Sequence, residues 1–102
     1  MIFDDFDVVF TRAIVEKLKS KEPTVEPWEV EDAFSRWEGK TVIDDRENNR
    51  TNPPTVWFIS DTSEGRVLKV VGIFLINKKE FVVKTAYDPD DWEVKFYENR
   101  KH

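Results

Sequence analysis

The stretch RVLKVVGIFLI, from Arg66 to Ile76, constrains the fold more than any other part of the chain. Apolar residues occupy both of its alternating faces, the pattern of a strand covered on both sides. Such a strand belongs in the middle of a sheet with further structure packed over each face. The chain must supply that cover from 102 residues, a length suited to one domain with one core.

Two flanking segments read as its neighbours. TVWFISD precedes it and EFVVKTAY follows it, and the connectors TSEG and NKKE are hairpin lengths. The three segments therefore predict an antiparallel meander. Period-two alternation in the last strand puts Phe81, Val83, Thr85 and Tyr87 on one face, with Val82, Lys84 and Ala86 on the other. Gly65 supplies the positive φ of a hairpin turn. Gly72, inside the central strand, marks a bulge or a close helix contact. KTVIDD reads as one further short strand.

Helical cover is predicted on both sides of this meander in the chain. MIFDDFDVVF reads as an acidic, aromatic, extended arm leading into a first helix. Phe10, Ala13, Ile14 and Leu18 follow helical spacing, and that helix ends near Lys21. A second helix opens at Pro27, where the fixed φ suits a first helical position, with Glu29 in the favoured first turn. Val30, Ala33, Phe34 and Trp37 form its apolar stripe, and Gly39 stops it. The last helix is expected with Asp88 as N-cap, Pro89 as first residue and Asp91 three after the cap. Its Trp92 and Phe96, four apart, would pack back on the sheet, and Arg100 and Lys101 suit its C-terminal end. The expectation is an α+β domain over 1–102: a small antiparallel meander of three to four strands, two N-terminal helices and one C-terminal helix. Residues 44–54, DDRENNRTNPP, read as an exposed loop.

Composition removes several kinds of chemistry. There is no cysteine, which excludes disulfides, zinc–thiolate sites and thiol nucleophiles. The one histidine is His102, so no internal Ser-His-Asp or histidine metal constellation exists. The net charge of −5 opposes nucleic-acid binding through bulk electrostatics and favours a basic protein partner. The acidic start does not read as a signal peptide and no apolar run is long enough to span a bilayer, so a cytoplasmic protein without membrane contact is expected. Three acidic clusters (Asp4, Asp5 and Asp7; Asp44, Asp45 and Glu47; Asp88, Asp90, Asp91 and Glu93) lack the spacing of a calcium loop, and no metal or cofactor is expected.

The polar chemistry left is that of Arg, Lys and Tyr. Arg66 enters the central strand, Lys69 and Lys84 project from strands, and Tyr87 closes the last one. Arg46 and Arg50 lie on the long loop beside Asn48, Asn49 and Asn52. Such groups suit a phosphodiester, whose oxygens they bind and whose pentavalent transition state they stabilise, with a carboxylate or Tyr handling the proton. Taken singly, such residues more often form cross-strand ion pairs or lie as snorkelled lysines on the surface.

EGRVLKVV, followed one hairpin later by FVVKTAYDPDDWEVKFYE, resembles the small BrnT-like toxins of the RelE superfamily. TVEPWEVEDAF is similar to their second helix. The likeness runs in outline from Thr24 to Tyr97. It implies a toxin–antitoxin component that cleaves mRNA without a metal and is held in check by a partner protein. By position, Arg66 matches the family's turn arginine, and Glu93 and Tyr97 match its closing helix. Tyr87 stands where the family's strand-end arginine would be. The residues expected to act are therefore Arg66, Lys84 and Tyr87 on phosphate, with Glu93 as base. The alternative expectation is a non-catalytic acidic protein that engages a basic partner, either an antitoxin or a nucleic-acid-binding protein.

Overall fold

The central strand forms as its apolar pattern demands, and the rest of the sheet is arranged around it. A computed structural model describes residues 3–44 and 52–100. In chain order the elements are β1 (Asp7–Val9), α1 (Arg12–Lys19), α2 (Pro27–Arg36), β2 (Val42–Ile43), β3 (Thr55–Asp61), β4 (Val67–Leu75), a 3₁₀ turn (Ile76–Lys78), β5 (Glu80–Tyr87) and α3 (Asp91–Asn99). The sheet has five strands in the order β1-β5-β4-β3-β2, with β4 in the middle. The α+β class and the antiparallel β3-β4-β5 meander are as expected.

The opening segment is not merely an arm. Asp7 to Val9 add a fifth strand, parallel to β5, in the register Asp7↔Glu80, Val8↔Phe81, Val9↔Val82. The sheet is therefore mixed. Three residues carry no readable period, and their partner strand lies about seventy residues away. The Asp7 N–H donates to Lys79 O at 2.9 Å and Lys79 Nζ meets Asp5 at 2.8 Å, pinning the arm to the turn before β5.

Alternation along β3 separates two layers. Phe58 stacks on Trp37, the residue that caps the C-terminus of α2, at 4.5 Å between ring centres. Its neighbour Trp57 meets Phe96 and Tyr97 of α3. The predicted stripe Val30, Ala33, Phe34 and Trp37 is wholly buried, against Phe58, Phe74 and Phe81. Tyr97 locks α3 in place: its hydroxyl donates to Lys40 O at 2.5 Å, and Lys40 Nζ returns a bond to Tyr97 O at 2.6 Å.

A bulge changes the faces of β5. Gly72 pairs with Val83 but Val71 pairs with Thr85, so Lys84 is an extra residue with no counterpart. Before it, Phe81 points at α2, stacking on Phe34. After it, Thr85 and Tyr87 lie on the α3 face, opposite Val71 and Lys69. The single-face reading of Phe81, Val83, Thr85 and Tyr87 is thus corrected: a one-residue insertion inverts every side chain beyond it. Gly72 belongs to this bulge. A Cβ there would lie 2.5 Å from Phe81 Cζ and 2.5 Å from Val82 O, so strand–strand proximity, not helix packing, excludes a side chain.

The cap of α3 is also displaced. Asp90, not Asp88, is the N-cap; it accepts the Glu93 N–H at 2.7 Å while Glu93 Oε1 accepts the Asp90 N–H at 3.1 Å. Asp88–Asp91 and Asp90–Glu93 both have the spacing, but glutamate at the third helical position is the residue that reaches back to close a capping box. Trp92 does not reach the sheet. It stacks on Phe96 at 5.4 Å and is 67% exposed.

Candidate functional site

The turn Ser63–Arg66 is fixed from outside the hairpin. Gly65 adopts φ +89°, and Asp32 of α2 accepts both the Ser63 N–H (2.8 Å) and the Ser63 hydroxyl (2.7 Å). These bonds hold the Asp32 carboxyl below the usual carboxylate pKa. Arg66 leaves the turn and lies across the α1–α2 connection. Its Nε and Nη2 donate to Asp88 at 2.9 and 2.7 Å, and Nη1 donates to Glu29 and to Thr24 O, both at 2.8 Å. A longer bond from Nη2 reaches Pro23 O at 3.4 Å. Burial alone would lower its pKa, but the two carboxylates outweigh burial and raise it. The guanidinium is thereby saturated. It clamps three places together: the loop before α2, the first turn of α2, and the junction between β5 and α3. It lines none of the clefts on the α3 face.

Three other residues converge where α3 crosses the sheet. Lys69, on β4 opposite Tyr87, is 8% exposed. Its Nζ donates to Glu93 Oε2 at 2.5 Å and sits 4.4 Å over the Trp57 ring and 5.4 Å over that of Tyr87. The Tyr87 hydroxyl donates to the same Glu93 oxygen at 3.1 Å. Burial works against charge on Glu93, yet the Lys69 ammonium, the Asp90 amide and the Tyr87 hydroxyl prevail and set its pKa below the ordinary glutamate value. Burial likewise opposes the charge on Lys69, and its bonds to Glu93 and Tyr87 reverse the effect, raising its pKa. Glu93 is thus a fixed carboxylate.

Two open cavities meet at this cluster and share Asp44 and Tyr87. The larger, about 550 Å³, includes Trp57, Lys69, Trp92, Glu93, Phe96 and Arg100 in its wall. The smaller, about 360 Å³, is lined by Ile14, Lys17, Asp44, Thr55, Val71, Lys84, Thr85 and Tyr87. Lys84 is the bulge residue, re-aimed by the insertion, and bears no ion pair among the described residues. Beside it the Thr85 Oγ1 is buried with no hydrogen-bond partner among the described residues. An orphaned buried hydroxyl costs about 1–3 kcal/mol, which a bound ligand oxygen or water would recover. Lys17, Lys84, the Thr85 hydroxyl and the Tyr87 phenol line one small cavity with a single carboxylate, Asp44, and the excess of donors suits an oxyanion.

Of the residues expected to act, the structure joins Tyr87 to Glu93 directly and sets Lys84 on the adjoining wall, while Arg66 serves elsewhere. Lys17 and Thr85 were missed by the sequence reading, which named Lys69 among the phosphate-binding groups but not among the residues expected to act. Thr85 had a local signal in KTAY, but Lys17 had none, since only α1 docking on β5 brings it near. Arg46, Asn48, Asn49 and Arg50, with Asp45 and Glu47, lie outside the described residues, as do most of the 44–54 loop, Lys101 and His102. Among the described residues no group of three carboxylates or histidines is placed to hold a metal, and no helix is long and apolar enough to cross a membrane. Comparison with known proteins adds no kinship: no family model, no curated protein and no solved structure matches.

Proposed function

We propose that this protein is a RelE/BrnT-type toxin–antitoxin component of the cytoplasm, a metal-independent endoribonuclease whose RNA strand crosses the Lys84–Tyr87 cavity. A partner antitoxin covers the same face. The observation that carries the reading is the bulge at Lys84, which sets an ammonium with no ion pair among the described residues beside the Thr85 hydroxyl, also without a partner among them, and the Tyr87 phenol. Bulges recur where a strand re-aims a side chain at a site.

In metal-independent RNA cleavage the 2′-hydroxyl attacks the adjacent phosphorus, a new P–O bond forms and the bond to O5′ breaks. Lys84 and Lys17 neutralise the phosphoryl oxygens as charge accumulates on them. Tyr87 takes the 2′-hydroxyl proton while passing its own to Glu93, to which it is already bonded. The Lys84 ammonium supplies a proton to O5′. A carboxylate with a depressed pKa is a weak base, so the rate rests chiefly on charge stabilisation.

A second reading has its own observation. Arg66, the residue matched to the family, is consumed by Glu29 and Asp88, and the chain carries −5 overall. On that reading the protein binds a basic partner and cleaves nothing. Induction of the protein alone in a bacterial host separates the two. Growth arrest with fragmented mRNA, relieved by Lys84→Ala and by Tyr87→Phe, is the expected result. Normal growth and intact mRNA, with the protein folded and abundant, would move the conclusion to the binding protein.

A further inference from the structure

Three aromatic rings climb out of the larger cavity in one stack. Trp57 is 7% exposed, Phe96 36% and Trp92 67%. Ring centres are 6.0 Å apart at 29° from Trp57 to Phe96, and 5.4 Å apart at 20° from Phe96 to Trp92. Cations flank the run: Lys69 over Trp57, and Arg100 at 5.5 Å over Phe96. A tryptophan this exposed contributes little to the core, and a leucine would cover Phe96 as well. What tryptophan adds is a broad π face, held parallel to the rings beneath it and open to solvent.

From this geometry we infer a base-stacking subsite: the outer face of Trp92 receives one nucleobase of the single-stranded RNA whose phosphate lies at Lys84 and Thr85. The inference rests on the RNA reading above. It commits to a nucleobase because the three rings are nearly parallel with Arg100 over the middle one, and because their cavity shares Tyr87 and Asp44 with the oxyanion cavity. A strand bound at one therefore passes the other. The volume of about 550 Å³ lies within the range of small-ligand sites. Stacking on an aromatic face tolerates any base, so this subsite contributes affinity and register more than sequence choice.

The test uses fluorescence anisotropy of a short labelled single-stranded RNA on the full chain, with circular dichroism to verify that each variant is folded. Trp92→Ala is expected to weaken binding about tenfold, and Trp92→Phe to restore most of it. An oligomer with one abasic position should reproduce the loss in the wild-type protein and add nothing in Trp92→Ala. Trp92→Ala should leave the salt dependence unchanged, whereas Lys84→Gln should reduce the slope of log K against log salt by about 0.7. Wild-type affinity in Trp92→Ala, with Lys84→Gln still weakened, would overturn the subsite and leave the RNA reading standing. No binding by the wild-type protein at low salt would overturn both. Adenosine monophosphate saturating at the same concentration as the oligomer would overturn the assignment to a strand.

Discussion

Replacing Arg66 by methionine keeps most of the side-chain volume and removes every donor of the clamp between α2, its preceding loop and the β5–α3 junction. The Arg66 and Glu29 side chains are 20% and 12% exposed, so Glu29 would be left largely desolvated without its counter-ion. Breaking a fully buried pair costs about 3–5 kcal/mol, and the residual exposure here reduces that. Asp88 is 44% exposed, so its half of the fork adds at most about 1 kcal/mol. Together with the two carbonyl bonds lost, we expect a destabilisation of about 2–3 kcal/mol. For a domain of this size that is a fall in Tm of about 10–20 °C. Urea unfolding followed by tryptophan fluorescence should give a lower midpoint at unchanged m-value. Arg36→Met provides the contrast: its pair with Asp61 is about half exposed on both sides, and its loss should leave the urea midpoint essentially where it was. A double-mutant cycle of Arg66→Met with Glu29→Gln should reveal coupling of about 1 kcal/mol or more. An Arg66→Met protein as stable as the parent would refute the clamp.

Gly72→Ala should destabilise by about 1–3 kcal/mol in thermal melts, because the new methyl meets Phe81 and Val82 O; an unchanged Tm would mean the bulge can open to admit it. Glu93 has a folded pKa below its ordinary 4.5, so its stabilisation is present above that pH and fades as pH falls through the folded value. Glu93→Gln should therefore be about 1–3 kcal/mol less stable than the parent at pH 7, with the two urea midpoints converging as the pH falls below 4.5. Parallel stability curves over that interval would show that Glu93 carries no linked proton.

Elements with a strong local period were legible from the chain. The doubly apolar run from Val67 to Leu75 is the central strand, and Val30, Ala33, Phe34 and Trp37 are the buried stripe of α2. Pro27 marked where α2 starts and Gly65 where a hairpin turns, because each acts through its own backbone, whereas Pro89 lies two residues before α3 and not at its first position. β1 was not legible, since three residues make no period and their pairing is parallel to a strand far along the chain. The faces of β5 beyond Val83 were misread for a related reason. A bulge is a mismatch in count between two strands, and neither strand states it alone.

The candidate site divides along the same line. Its residue types stand in the chain for anyone to read: an arginine at a turn, KTAY at a strand end, a glutamate and aromatics in the last helix. Which of them meet was decided only by tertiary packing. Arg66 found Glu29, 37 residues away, and Asp88, 22 away, and so became a brace. Lys84, set out of register by the bulge at Gly72, has no ion pair among the described residues. A local pattern reports how one segment buries its own apolar surface. Charge neutralisation is settled between segments, by whichever partner the finished fold brings within about 3 Å.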